Sequence, residues 1–158
     1  VDSKSGVQKI VKLLIKLSKK YQIVFPIHPR TLNSIREYGF YDDINIKSII
    51  LTKALGYFEF QKLIESCKFI LTDSGGIQEE STYRKKPCLT LRSNTERPIT
   101  IEKGSNTLVP FDLNSIFECI EDIENGKYKK GSVPEKWDGQ TTRRIVEMIN
   151  NEVILNEK

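Results

Sequence analysis

The residues most able to do chemistry in this sequence stand in one run, Leu71-Thr72-Asp73-Ser74-Gly75-Gly76-Ile77-Gln78-Glu79-Glu80. An apolar strand leading through a Ser-Gly-Gly turn into a helix presents unpaired N–H groups and the positive end of the helix dipole. Paired glycines let that backbone approach an anion closely. The chemistry such a run supports is the holding of a phosphate or diphosphate, with the Ser74 hydroxyl as a further donor. A second reading makes Asp73 or Ser74 the cap of the following helix, and spacing alone leaves both open. Only one of Glu79 and Glu80 can face a ligand there. Glu80, one turn beyond Gly76, is the better candidate to accept hydrogen bonds from ribose hydroxyls, as an acidic residue does in dinucleotide folds.

A second polar cluster, Leu91-Arg92-Ser93-Asn94-Thr95-Glu96-Arg97-Pro98, follows the next apolar run and leads into a Pro-started helix. Two arginines, Arg92 and Arg97, with Thr95 and Glu96 make it a dense polar cluster next to the presumed phosphate site. A surface salt-bridge network is the plainer reading; the position after a strand favours function. The single histidine, His28, lies in Pro26-Ile27-His28-Pro29-Arg30, again after a strand. It is a binding candidate with no acid–base role assigned.

The elements that position these loops follow from apolar periodicity. Val7, Ile10, Val11, Leu14, Ile15 and Leu17 predict an amphipathic helix over residues 5–20. Gln22 to Phe25 reads as a strand stopped by Pro26, and Thr31 as the cap of a helix that reaches Tyr38 and ends at Gly39. Strands are then expected at 49–51, 69–72, 88–91 and 106–109, with helices at 58–67, 77–84, 113–124 and 141–153. Short apolar strands alternating with helices predict parallel pairing through right-handed crossovers, a Rossmann-like doubly wound α/β layout. Ligands of such sheets sit at the carboxyl ends of the strands, where both polar loops begin. The chain opens on a helix with no strand before it, which predicts a first strand and a partner domain upstream.

Composition narrows the classes. With 158 residues, 38% hydrophobic and 29% charged, one globular soluble unit is expected. No segment approaches the length of a membrane span, and Val1-Asp2-Ser3-Lys4-Ser5-Gly6 has none of the features of a signal peptide, so a cytoplasmic location is expected. Cys67, Cys88 and Cys119 show no CxxC spacing and read as reduced, mostly buried thiols rather than metal ligands. A net charge of +4, with lysines on helix faces and no basic stripe with interleaved aromatics, gives no nucleic-acid signature.

Taken together, Asp73-Ser74-Gly75-Gly76-Ile77-Gln78-Glu79-Glu80, Lys86-Pro87, Leu91-Arg92 and Thr95-Glu96-Arg97-Pro98 closely resemble the non-hydrolysing UDP-N-acetylglucosamine 2-epimerases. The resemblance continues through His28-Pro29-Arg30-Thr31, Glu102-Lys103-Gly104-Ser105-Asn106 and Asp138-Gly139, and so covers nearly the whole chain. It implies the C-terminal half of a GT-B fold, in which two Rossmann-like domains face each other across a cleft. The whole of residues 1–158 is then a UDP-binding domain, and the N-terminal domain is its missing partner. The activity implied is elimination of UDP from UDP-N-acetylglucosamine and its re-addition to give UDP-N-acetylmannosamine, with no metal or nicotinamide and no other cofactor. By position, Ser74, Gly75 and Gly76 match diphosphate contacts, Glu80 a ribose contact, Phe60 an aromatic near the uracil, and Arg92 an arginine of the binding loop. His28 is a further substrate-binding candidate. Thr95, Glu96 and Arg97 form a supporting loop.

No catalytic residue is assigned within this chain, because the family's proton-transfer carboxylates lie in the other domain. Its histidine-arginine-x-glutamate-asparagine motif falls just before the residues aligned with Val1-Asp2. The chain alone is expected to be inactive, and the full-length enzyme to be a homodimer. Two positions depart from the family pattern: Ile99 stands where a Glu is usual and Gln140 where a Lys is common. The alternatives are the UDP-sugar-binding domain of another GT-B glycosyltransferase and a non-catalytic sugar-nucleotide-binding module.

Overall fold

The computed structural model describes residues 3–156, with side chains through residue 151. By its internal contacts the chain divides into two compact units, Val1–Gln61 and Lys62–Lys158.

In the first unit, helix α1 (Lys4–Ser18) is capped by Ser3, whose hydroxyl accepts from the Gly6 amide. Its apolar stripe buries Val7, Val11 and Leu14 against Ile27, Ile35, Ile44 and Ile49. Strands β1 (Ile23–Pro26) and β2 (Ile49–Thr52) pair in parallel, Ile23 opposite Ile49 and Pro26 opposite Thr52. Between them, α2 (Pro29–Glu37) starts earlier than the Thr31 cap predicts. Pro29 presets the helical φ at the first position, and His28 is the cap. Gly39 ends this turn at φ +77°, a conformation that costs glycine little. The short α3 (Tyr41–Ile44) has no counterpart in the periodicity; a single turn carries too few apolar positions to register.

The boundary between the units falls within α4 (Tyr57–Ser66). The second unit continues with β3 (Ile70–Thr72), α5 (Gly75–Tyr83), β4 (Cys88–Thr90), α6 (Pro98–Glu102), β5 (Asn106–Leu108), α7 (Leu113–Glu124) and α8 (Thr141–Asn156). β3, β4 and β5 form a parallel sheet in that order, with Thr72 opposite Thr90 and Thr90 opposite Leu108. The alternation of strand and helix and the parallel pairing are those of the Rossmann-like α/β class. Leu89, Val109, Ile116 and Ile120 are buried, but so are Gln78, Ser81, Thr82, Thr90, Thr100, Ser105 and Asn106, an unusually polar interior.

The three cysteines are free, as expected; Cys88 is buried, whereas Cys67 and Cys119 are only half-buried. Burial pushes the Cys88 thiol up to about 11, which keeps it protonated and inert at neutral pH. Among the described residues, no helix is long and apolar enough to cross a membrane.

Candidate functional site

The two polar loops leave adjacent strands at the same edge of the second unit's sheet, because the β3–β4 register sets Thr72 opposite Thr90. After β3 the chain turns at once into α5. Helix α5 begins at Gly75, two residues before the predicted start, so both glycines lie in its first turn. Ser74 is the N-cap by position, extended at φ −85° and ψ 131°, yet its side chain makes no capping hydrogen bond. The starts of α1, α2 and α7 differ, each having a side chain that accepts from a first-turn amide: Ser3 from Gly6, His28 from Arg30 and Asp112 from Ser115. The first-turn amides of α5 and the exposed Ser74 hydroxyl therefore remain available to an external acceptor. A Cβ placed on Gly76 would meet nothing within 4 Å, so the space over that residue is open.

A buried hydrogen-bond network fixes the second loop to this helix start. Gln78, fully buried, accepts at Oε1 from the Thr95 hydroxyl at 2.7 Å and from Asn106 Nδ2 at 3.1 Å. Its Nε2 reaches back to the Ser74 carbonyl at 3.4 Å. Asn106 also donates to the Thr100 hydroxyl at 3.1 Å and accepts from Thr90 at 2.6 Å. Thr95 accepts in turn from the Arg97 amide at 3.0 Å, and Thr100 donates to the Arg97 carbonyl at 2.7 Å. Residues from β4, α5 and α6 thus converge on the side-chain amide of Asn106 in β5. A network with this many mutual partners holds a single geometry, since any rearrangement strands a buried polar group. Sequence reasoning missed Gln78, Thr90, Thr100 and Asn106 as positioning groups. The only signal for the two strand residues was a polar side chain in an otherwise apolar run.

Charged side chains crown this framework. Arg92 Nη1 stands 3.3 Å from Glu96 Oε2. The other oxygen of Glu96, Oε1, would lie 2.5 Å from a Cβ on Gly75, so this carboxylate rests against the first residue of α5. The backbone N–H of Glu96 itself, with help from Arg92 and Arg97, holds that carboxyl below the ordinary carboxylate range. Arg97 Nε lies 3.3 Å from Glu79 Oε1, within ion-pair reach. The N–H is not aimed at that oxygen, and Nε, shut off from solvent, makes no hydrogen bond. Of the two adjacent glutamates, Glu79 is committed to this loop, whereas the half-buried Glu80 carboxylate has no partner among the described residues.

His28 and Phe60 belong to the first unit. His28 is exposed, and its Nδ1 accepts from the Arg30 amide at 3.2 Å, so one ring nitrogen is used as a helix cap. Phe60 is half-buried on α4 beside Tyr57 and Phe58, which meet edge-to-face and are 65% and 85% exposed. Aromatic surface left in water at that level is suited to stacking on a planar ligand.

Comparison with known proteins gives a consistent picture. The family model described as UDP-N-acetylglucosamine 2-epimerase matches residues 1–150. A UDP-N-acetylglucosamine 2-epimerase of Methanocaldococcus jannaschii is 40% identical over 130 residues, covering 80% of this chain and 36% of the relative. The Escherichia coli enzyme of that name is 34% identical over 154 residues, covering 92% of this chain and 40% of its own length. Among solved structures, the M. jannaschii epimerase in complex with UDP-GlcNAc and UDP superposes with a TM-score of 0.80 at 37% identity, over 96% of this chain and 42% of that one. The chain thus spans about two-fifths of the length of these relatives.

Proposed function

The chain belongs to the UDP-N-acetylglucosamine 2-epimerase family, and from that premise we propose that it supplies the UDP-holding part of an enzyme interconverting UDP-N-acetylglucosamine and UDP-N-acetylmannosamine. The observation that carries this is the start of α5, where Ser74 leaves its hydroxyl out of the cap and Gly76 leaves the space above it open. In this reading the diphosphate accepts from the amides of Gly75 and Gly76 and from Ser74, Arg92 binds it from the adjacent loop, and Glu80 takes the ribose. Thr95, Glu96 and Arg97 shape the loop, Phe60 lies near the uracil, and His28 offers its outer nitrogen to the substrate.

The chemistry asked of this part is electrostatic. Elimination builds negative charge on the departing UDP, and fixed N–H donors stabilise that charge where it forms, without reorganisation. The same donors hold UDP for the return step. Proton transfer falls to carboxylates of an N-terminal domain, so this chain alone is expected to bind nucleotide and not to epimerise. A homodimeric full-length enzyme and a cytoplasmic location go with the family reading.

Calorimetric titration of the chain with UDP, with UMP and ADP as controls, tests the proposal. Saturable binding that prefers UDP to both is expected, because the diphosphate and the uracil each have contacts assigned. Equal binding of ADP would remove the uracil assignment. No binding of UDP, either to this chain or to a chain that includes the N-terminal domain, would overturn the reading.

A further inference from the structure

Glu96 brings a carboxylate to the side of the α5 start. Its Oε1 lies against Gly75, the first residue of α5, and its Oε2 faces Arg92 at 3.3 Å. The helix start favours negative charge there, and a side chain of the protein supplies it. Beside it, Arg97 Nε is excluded from water with no hydrogen bond, although Glu79 is 3.3 Å away. A buried donor left in that state calls for an explanation, and an acceptor still to arrive is one.

We propose that Glu96 is an internal anion that stands beside the diphosphate position in the ligand-free chain and must swing off Gly75 for nucleotide to enter. This rests on the reading of the α5 start as the diphosphate site. Two carboxylate or phosphate groups cannot share one helix end and one arginine without strong like-charge repulsion, so Arg92 exchanges Glu96 for the incoming diphosphate. The anchors allow this motion. Thr95 is pinned to Gln78 at 2.7 Å and Arg97 N to Thr95 at 3.0 Å, while the Glu96 side chain between them is about half exposed and can rotate without moving the backbone. The result is a site kept electrically satisfied and selective: a ligand must bring enough charge to displace the carboxylate, which a diphosphate does and an uncharged uridine does not.

Glu96→Gln and Glu96→Ala keep the loop anchors and remove the competing charge. Titration with UDP, inorganic pyrophosphate and uridine, against the unsubstituted chain, reads the effect. Expected is about three- to tenfold tighter binding of UDP and of pyrophosphate, with uridine unchanged. Unchanged or weaker binding of both charged ligands by variants that retain the native unfolding midpoint would overturn the proposal while leaving the UDP site standing. If neither the parent chain nor the variants bind UDP or pyrophosphate, and a chain that includes the N-terminal domain binds neither as well, the diphosphate site itself is wrong and both readings fall. Tightening of uridine as well would show a general opening of the loop and would also overturn the displacement idea.

Discussion

Thr95 donates its hydroxyl to the side-chain carbonyl of Gln78 across 2.7 Å, joining the loop after β4 to the first turn of α5. Gln78 is fully buried and its oxygen is shared with Asn106 Nδ2, so the contact is the centre of the polar interior rather than a surface ornament. Thr95→Val keeps the shape and removes the hydroxyl. It takes one donor from Gln78 and the acceptor from the Arg97 amide. A loss of about 1–3 kcal/mol in unfolding free energy is expected in urea titration. UDP affinity is expected to fall as well, because Arg92 and Arg97 lose their fixed platform. A variant with full stability would show that the network is dispensable.

Two glycines predict opposite outcomes for the same substitution. A Cβ on Gly76 meets nothing, and this residue lies in a helix, so Gly76→Ala is expected to raise stability by about 0.5–1 kcal/mol. The added methyl fills the space assigned to diphosphate, and UDP binding is expected to weaken at least about tenfold, roughly 1.4 kcal/mol. A Cβ on Gly104 would instead collide with Thr82 and with the Thr100 carbonyl. Gly104→Ala is expected to cost about 1–3 kcal/mol of stability. Thermal unfolding of both variants, with UDP titration of the first, checks the pair of signs.

Ser74 and Asp112 occupy equivalent positions at helix starts but do different work. Asp112 accepts from the Ser115 amide at 2.9 Å, whereas Ser74 makes no such bond. Asp112→Ala is therefore expected to cost about 0.5–2 kcal/mol of stability, and Ser74→Ala almost none. Ser74→Ala is expected instead to weaken UDP binding by about 1.5–3 kcal/mol, the value of a hydrogen bond to a charged group. A stability loss in Ser74→Ala with UDP affinity intact would return this residue to the role of a cap.

Much of this arrangement was legible in the sequence, and what was not has physical causes. Apolar periodicity located each strand to within a residue or so, and α7 to the residue, because those elements bury one face. The Ser-Gly-Gly run announced a helix start. Its place inside the first turn was hidden, since glycine's freedom gives no preference between a turn and a helix. The early start of α2 was hidden for a related reason: Thr31 is the stronger cap by residue type, but Pro29 is preset for the helix and His28 offers an acceptor. The convergence of Gln78, Thr90, Thr95, Thr100 and Asn106 was the least legible part. It is a long-range agreement among residues that look like ordinary surface polars one at a time.

Asp138 and Arg144 carry a pH prediction for the start of α8. Arg144 grips the carboxylate with both terminal nitrogens, at 2.9 and 3.0 Å, and the Gln140 amide adds a third bond at 3.0 Å. Arg144 first, then the Gln140 amide, hold the Asp138 carboxyl down from 3.8 to about 2. Because the folded value lies below the unfolded one, the stabilisation is fully present above the ordinary carboxylate value and fades as pH falls from about 4 to about 2. Asp138→Asn removes it at every pH. The parent chain is thus expected to be the more stable of the two at pH 6, with the difference closing on acidification toward pH 2. Asp138 is exposed and Arg144 only half-buried, so the difference is expected to shrink in high salt. Chemical denaturation of the two proteins at pH 6, 4 and 2.5 measures it. A gap that stays constant across that range would mean the Asp138 proton is not linked to folding, and that the bidentate contact does not persist in solution.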